Sequence, residues 1–238
     1  MALIIFFILM TENNIPIITI DGSSGSGKGA ISYLLAKKLN WHLLDSGAVY
    51  RVLAFASMKK HISSNDIPAL ISLAKNLNIE FISHGEVAQK IIFEGEDVTT
   101  LIRQEECGNV ASKIASFPEV RAILVDYQRS FCKVPGLIAD GRDMGTVIFP
   151  DAMVKIFLTA AVEERAKRRL LQLQDQGINA TLGDVLRDLV ARDKRDCNRL
   201  VSPLKPHPAA MIIDTTKLSI NEVLQQVLVH VKVCLNLH

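Results

Sequence analysis

IPIITIDGSSGSGKGAISYLLAKKL, residues 15–39, contains an apolar run, a glycine-rich turn and a helical pattern without a gap between them. The order predicts a strand, a loop and a helix. The loop from Gly22 to Lys28 has the spacing of a phosphate-binding loop, whose glycines let successive backbone N–H groups converge on an anion. Lys28 adds a positive charge, and the N-terminus of the following helix points its dipole at the same place. A Gly/Ser-rich turn that only links a strand to a helix is the alternative, but this strand–loop–helix context favours a polyphosphate ligand.

The predicted phosphate-binding site consists of the loop and the first helical residues: Gly22, Ser23, Ser24, Gly25, Ser26, Gly27, Lys28, Gly29 and Ala30. The general motif continues with Ser or Thr after the lysine, and that hydroxyl binds magnesium. Here Gly29 and Ala30 follow Lys28, and neither has a side-chain oxygen. We therefore predict no dedicated protein metal site. Mg²⁺ would be held mainly by the phosphates of the ligand and by water, with a carboxylate from elsewhere in the chain.

The composition describes an ordinary globular protein of 238 residues, 49% hydrophobic and 22% charged. Twenty-seven basic and 25 acidic residues give a net charge of +2, which is too balanced for a nucleic-acid-binding surface. The four cysteines form no C-x-x-C pair and indicate neither zinc nor a disulfide framework. We expect a monomeric, cytoplasmic protein without a membrane partner.

Residues 1–14 are predicted to be an N-terminal extension. The segment MALIIFFILM is apolar, but it is much shorter than the ~20 residues of a membrane-spanning helix. No Lys or Arg precedes it, so it does not resemble a signal peptide. We expect the natural chain to start at Met10.

Strands and helices are predicted to alternate along the rest of the chain, which indicates an α/β fold with a five-stranded parallel sheet and helices on both faces. The core is assigned to residues 15–62 and 115–238, with a charged helical lid at about 162–199. The alternation of strand and helix patterns stops at residues 63–114. The pattern there predicts an inserted subdomain with a β-hairpin whose turn is at residues 84–86. Ser219 and Glu222 form a capping box at the start of the last helix.

Four aspartates stand at predicted strand ends, where ligands bind in open parallel sheets. They are Asp21, Asp45, Asp140 and Asp214. Each is also explained by a helix cap or a turn. Asp140 has the strongest functional claim, because a P-loop protein places its magnesium-linked carboxylate at the end of such an apolar strand.

Two stretches are rich in arginine. Arg142 and Asp143 occupy a glycine-flanked loop beyond Asp140, and ARDKRDCNR (residues 191–199) repeats charge at three- and four-residue spacing, which predicts one helical face. The ordinary interpretation of such a run is a helix face exposed to solvent. The functional interpretation is a set of arginines that close over a phosphoryl group during its transfer, because transfer spreads negative charge over that group.

The motifs resemble those of cytidylate kinases, P-loop enzymes that phosphorylate CMP or dCMP in pyrimidine nucleotide metabolism. The resemblance rests on IDGSSGSGKG, WHLLDSGAVYR, FEGEDV, GLIADGRDMGTVIFPDA, VKIFL and RDKRDCNR, which occur in family order. It implies the nucleoside monophosphate kinase fold, an insert that helps to hold the acceptor, and an arginine-rich lid. It also implies direct transfer of a phosphoryl group from ATP.

The same resemblance implies roles for individual residues. Ser46, Arg51 and Arg142 would contact the acceptor phosphate; Ser112, Arg121 and Asp143 would read cytosine; Tyr50, Arg192 and Asp196 would face the sugar. Arg199 would reach the phosphates being exchanged. The expected catalytic residues are therefore Lys28, Asp140, Arg192 and Arg199. Family members carry Thr or Ser where this chain has Ala30.

Other functions remain open on the residues alone, which indicate a P-loop phosphotransferase but not cytidine. The nearest alternative is another small-metabolite kinase. The alternative from a different class is a non-catalytic ATP sensor or a nucleic-acid module. A GTPase switch is disfavoured, because the sequence contains neither N-K-x-D nor D-x-x-G.

Overall fold

A computed structural model describes residues 15–82, 90–175 and 177–236 of the chain. Its centre is a five-stranded sheet of β1 (Ile17–Gly22), β2 (His42–Asp45), β6 (Leu137–Gly141), β7 (Val154–Thr159) and β8 (Met211–Asp214). The strand order is β2-β6-β1-β7-β8, and every neighbouring pair is parallel. The predicted parallel α/β fold is therefore confirmed.

Helices cover both faces of this sheet. The described helices are α1 (Lys28–Leu39), α2 (Ser46–Lys59), α3 (Ile67–Lys75), α4 (Glu105–Ile114), α5 (Pro118–Arg129), α6 (Val162–Asp175), α7 (Leu182–Cys197) and α8 (Ile220–Leu235). Within β6, Leu137 and Ala139 belong to one buried cluster and Ile138 to another. This alternation is the two-residue period of a strand that is buried on both sides. The first cluster includes α2 and α5, and the second includes α1 and α8.

The turn between β1 and α1 depends on glycine. Gly22 has φ +154°, and a Cβ there would lie 2.1 Å from the carbonyl oxygen of Leu158 on β7. Gly27 has φ +90° and is the N-cap of α1, so the helix begins at Lys28. This geometry places the start of α1 beyond the carboxyl end of β1, as the motif predicts.

The inserted segment contains a three-stranded antiparallel sheet of β3 (Ile79–Ile82), β4 (Lys90–Phe93) and β5 (Glu96–Asp97). The turn expected at residues 84–86 lies outside the described residues, as does the N-terminal extension 1–14. Leu70 and Ile91 of the insert are fully buried in the same cluster as Leu137 of the central sheet. The insert therefore packs directly on the core, while its boundaries as a subdomain remain a prediction.

Helices α6 and α7 pack against each other through a small apolar cluster that includes Leu173 and Leu189. On α6, Glu164 and Arg168 form an ion pair four residues apart, with Arg168 Nε and Glu164 Oε1 separated by 3.2 Å. The single helical face expected for residues 192–199 is wrong in part. Helix α7 ends at Cys197, so Arg199 lies two residues beyond it. Arg195 turns to Ser112 and Asn109.

Across the described residues, no helix has the length and apolar character needed to cross a membrane.

Candidate functional site

A cleft of about 610 Å³ opens beyond the carboxyl ends of the central strands. It is bounded by the β1–α1 loop, the starts of α1 and α2, one side of α4 and α5, the loop after β6, and helices α6 and α7. The expected site residues that line it are Ser24, Lys28, Gly29, Ala30, Ser46, Tyr50, Arg51, Ser112, Arg121, Asp140, Arg142, Asp143, Arg192, Asp196 and Arg199. Gly22, Ser23, Gly25, Ser26 and Gly27 belong to the same loop but do not line this cleft.

The loop before α1 wraps around the Lys28 side chain. Its Nζ donates to the carbonyl oxygen of Ser23 at 3.4 Å. Ser26 Oγ is buried and has no hydrogen-bond partner within the described residues. An unmatched polar atom in a buried loop is costly unless a ligand satisfies it. The loop therefore has unused hydrogen-bonding capacity beside a cation.

Asp140 faces Lys28 across the floor of the cleft, at the end of β6. Burial raises the pKa of Asp140, and the Lys28 charge opposes that rise. Burial lowers the pKa of Lys28, as does the positive charge of Arg142, while Asp140 opposes the fall. Asp140 Oδ1 is buried with no hydrogen-bond partner in the described part of the chain. The cleft floor therefore carries one unsatisfied carboxylate oxygen near the loop.

A buried ion pair forms the opposite end of the cleft. The guanidinium of Arg121 on α5 donates to Asp143 Oδ2, and both side chains are 4% exposed. The ring of Tyr50 lies under the same guanidinium, 5.7 Å from ring centroid to carbon. Burial raises the pKa of Tyr50 to about 12, against the lowering effects of the Arg121 charge and of the Gln128 side chain near its hydroxyl. This end offers a planar cation, a carboxylate and a phenol hydroxyl.

The polar residues between the two ends already make hydrogen bonds. Ser46 Oγ donates to Gln128 Oε1 at 2.6 Å. Arg51 Nη1 donates to the carbonyl oxygens of Ile102 at 2.7 Å and Gln104 at 3.3 Å. Burial lowers the pKa of the Arg51 guanidinium. Arg51 is thus held on the 3₁₀ turn that precedes α4.

Ser112 bridges α4 to the end of α7. Its hydroxyl donates to Asp196 Oδ1 at 3.5 Å and accepts from Arg195 Nε at 3.2 Å. Asp196 also accepts from Arg142 Nε at 2.9 Å. Burial raises the pKa of Asp196, but the charges of Arg142 and other nearby arginines outweigh burial and keep the pKa below its ordinary value.

The arginines leave the cleft strongly electropositive. Burial lowers the pKa of Arg192 to about 9, and the positive charges of Arg142 and Arg51 add to the fall. Burial likewise lowers the pKa of Arg199, and the charge of Arg121 contributes. Arg192 Nε and Arg199 Nη2 are buried without a hydrogen-bond partner among the residues described. Buried cations with unused donors require an anion for stability.

The other three strand-end aspartates have structural contacts. Asp45 caps α2 by accepting from the backbone N–H of Ala48 at 2.9 Å. Asp214 accepts from the backbone N–H of Thr216 at 2.9 Å. Asp21 accepts from two consecutive N–H groups, those of Met144 and Gly145, both at 2.8 Å. Burial raises the pKa of Asp21 to about 7, against the effect of those two hydrogen bonds.

Three polar residues at the site were not predicted from the sequence. Gln128 is fully buried and holds Ser46. Arg169 lines the cleft and pairs with Glu105, with Nη2 and Oε2 2.9 Å apart. Arg165 contacts the β1–α1 loop. The two arginines belong to a charged helix that would ordinarily be solvated, and no sequence signal distinguishes Gln128.

Comparison with known proteins decides the family. A family model described as Cytidylate kinase matches residues 18–233. The chain belongs to the cytidylate kinase family. A cytidylate kinase of Shewanella denitrificans is 54% identical over 218 residues, which are 91% of this chain and 96% of that protein. A cytidylate kinase of Aeromonas hydrophila is 54% identical over 215 residues, covering 90% of this chain and 93% of the relative.

Membership of the cytidylate kinase family makes this protein an enzyme of the transferase class, a nucleoside monophosphate kinase that uses ATP as phosphoryl donor. The resemblance read from the motifs is thereby confirmed, as is the P-loop nature of the β1–α1 loop. The matched residues include the whole cleft.

Proposed function

We propose that the protein transfers the γ-phosphoryl group of ATP to CMP and dCMP, giving CDP and dCDP. The observation that supports the proposal is one cleft that is lined by arginines. It extends from the P-loop and Lys28 to the buried Arg121–Asp143 pair. Such a cleft can accept two nucleotides whose phosphates meet in the middle. Reaction between them then needs positioning and charge stabilisation rather than a covalent enzyme intermediate.

For the donor, we propose that ATP binds through the backbone of residues 22–30 and the Lys28 ammonium. Binding of Mg²⁺ with ATP is supported by Asp140, which lines the cleft and whose buried Oδ1 lacks a partner in the described chain. No group of three His, Cys, Asp or Glu capable of holding a metal occurs among the described residues. The ion, when bound, would neutralise phosphate charge, with phosphates and water as its main ligands. Ala30 contributes no oxygen to it.

For the acceptor phosphate, we propose Arg51, Arg142 and Ser46. Planar guanidinium groups suit phosphate oxygens, and both arginines line the cleft. A phosphate contact by Ser46 would require its hydroxyl to turn away from Gln128 Oε1. Tyr50, Arg192 and Asp196 would face the sugar.

For the base, we propose that Asp143 accepts the cytosine amino group and that Arg121 donates to ring nitrogen 3, with Ser112 nearby. The carboxylate and the guanidinium are both buried, so a ligand with the wrong donor pattern would leave them unpaired. This is the physical reason to prefer cytosine over uracil.

During transfer, Lys28, Arg192 and Arg199 would stabilise the charge that spreads over the moving phosphoryl group. The unused donors of Arg192 and Arg199 support this role, because phosphate oxygens would supply the hydrogen-bond partners that they lack among the described residues. We further propose a monomeric cytoplasmic enzyme whose partners are ATP and CMP or dCMP. Nucleic acid is not a partner in this proposal, in keeping with the net charge of +2.

The proposal is tested by coupled ADP-release assays with CMP, dCMP, UMP, AMP and shikimate at saturating Mg–ATP. We expect high specificity constants for CMP and dCMP, and much lower values for the other acceptors. Preference for shikimate would identify a small-metabolite kinase instead. ATP binding without consumption in the presence of CMP would identify a sensor, and a requirement for RNA or DNA would identify a nucleic-acid module.

A further inference from the structure

Arg165, in the first turn of α6, joins three parts of the molecule. Its Nε donates to the carbonyl oxygen of Ala160 at 3.0 Å, and its Nη1 donates to the carbonyl oxygen of Ser24 in the P-loop at 3.1 Å. Its Nη2 donates to Asp193 Oδ2 on α7 at 2.6 Å. The side chain is 6% exposed and does not line the central cleft. Arg165 therefore connects the P-loop to α7 from behind the site.

Asp193 is the neighbour of Arg192 in α7. Successive residues of a helix project in different directions, about 100° apart. Arg192 lines the cleft, whereas Asp193 pairs with Arg165. One segment of α7 therefore lines the cleft, where the substrate phosphates would bind, through Arg192. Through Asp193 and Arg165 the same segment is connected to the loop that would hold ATP.

The contact with Ser24 fixes one peptide plane of the P-loop. In a trans peptide, the carbonyl of Ser24 and the N–H of Gly25 point in opposite directions. Because Arg165 holds the carbonyl, the N–H of Gly25 is directed away from α6. Gly25 also packs on the arginine: a Cβ on this residue, which has φ +78°, would lie 3.1 Å from Arg165 Cβ.

We propose that Arg165 is a positioning residue that, through Asp193, sets the P-loop and the α7 arginine at one fixed separation for phosphoryl transfer. The inference rests on the proposed function. Arginine is needed because its rigid fork serves three separated acceptors at once, while the single ammonium of lysine cannot. Arg165 acts on the donor nucleotide only through the loop backbone.

The test compares R165K and D193A with wild type by isothermal titration of Mg–AMP-PNP and, separately, of CMP. We expect the Kd for Mg–AMP-PNP to rise about tenfold in both variants, because each loses a charge-assisted hydrogen bond that holds the P-loop backbone or its anchor in place. The Kd for CMP should rise much less than the Kd for Mg–AMP-PNP, because Arg165 contacts the P-loop directly but reaches Arg192, which would face the acceptor sugar, only through Asp193. The matched control is R187A, which breaks an exposed ion pair with Asp184 on the same helix and should change neither constant.

A purely structural role would lower the melting temperature without separating the two affinities. Equal losses for Mg–AMP-PNP and CMP, or unchanged affinity for Mg–AMP-PNP, would therefore overturn the inference. D193A keeps the test valid if R165K fails to fold, because Asp193, whose side chain is 22% exposed, is the more exposed partner of the ion pair. Wild-type enzyme that binds Mg–AMP-PNP but does not phosphorylate CMP would contradict the proposed function alone and leave this comparison intact.

Discussion

Arg142 and Asp196 are bonded across the top of the cleft, with Nε and Oδ2 2.9 Å apart, although 54 residues separate them in the chain. The pair ties the loop after β6 to the end of α7, and its side chains are 16% and 6% exposed. Removing one partner of a buried pair leaves an uncompensated charge, which is costly. The negative charge of Asp196 thus lets several arginines, Arg142 among them, lie near one another although their positive charges repel.

Lys28→Ala should abolish phosphoryl transfer while the fold is retained. Cations that contact the transferring group are worth ~10³ or more in rate, and the Lys28 side chain lies at a cleft wall rather than in an apolar cluster. The measurement is kcat by ADP release together with the melting temperature. Lys38→Ala, on an exposed position of the same helix, is the control. More than a tenth of wild-type turnover in K28A would disprove the role of this lysine.

Arg199→Ala should lower kcat far more than it weakens ATP binding. Its Nη2 is buried and has no partner within the described chain, so we expect the missing contact to form as charge develops on the phosphates. An interaction made chiefly in the transition state reduces kcat and kcat/KM together. Single-turnover rates and the Kd for Mg–ATP check this. The role would be refuted by a variant that transfers at the wild-type rate.

Asp143→Ala should collapse the preference for CMP over UMP. Uracil presents an oxygen at position 4 and an N–H at ring nitrogen 3, so it mismatches both Asp143 and Arg121. Each unpaired buried group costs ~1–3 kcal/mol, and two give on the order of a hundredfold in specificity constant. The variant should lose activity on CMP and change little on UMP. A CMP-to-UMP ratio equal to that of wild type would assign Asp143 to loop structure alone.

Asp21 should make stability fall as the pH rises from about 4 to about 7. Its folded-state pKa, about 7, lies above the ordinary value of 3.8, so the folded protein binds the proton more tightly across that window. Stability decreases with pH wherever the folded state holds more protons than the unfolded state. Urea unfolding at several pH values, for wild type and Asp21→Asn, isolates this contribution. Parallel pH profiles for the two proteins would show that Asp21 titrates alike in both states.

Local chemistry in the sequence determined the secondary-structure elements and the P-loop. Apolar runs, caps and glycines act over a few residues, so the P-loop, the parallel sheet and the Ser219–Glu222 capping box could be predicted before any contact was known. The helical face predicted for residues 192–199 was too long, because the charge spacing continues for two residues beyond the end of α7 at Cys197. Ser46 was recognisable by its motif, but its bond to Gln128 was not, because a buried glutamine has no local pattern.

Tertiary structure alone decided which charges meet. Asp143 pairs with Arg121 from 22 residues away, and Ser24 is held by Arg165 from 141 residues away. Sequence spacing fixes neighbours only within a helix or a strand. Which arginine faces a phosphate site, a carboxylate or solvent depends on how separate helices pack on the sheet. The sequence by itself therefore specified a P-loop kinase with many arginines. Packing decided that Arg192 lines the cleft while Asp193, beside it in the chain, pairs with Arg165, which contacts the P-loop.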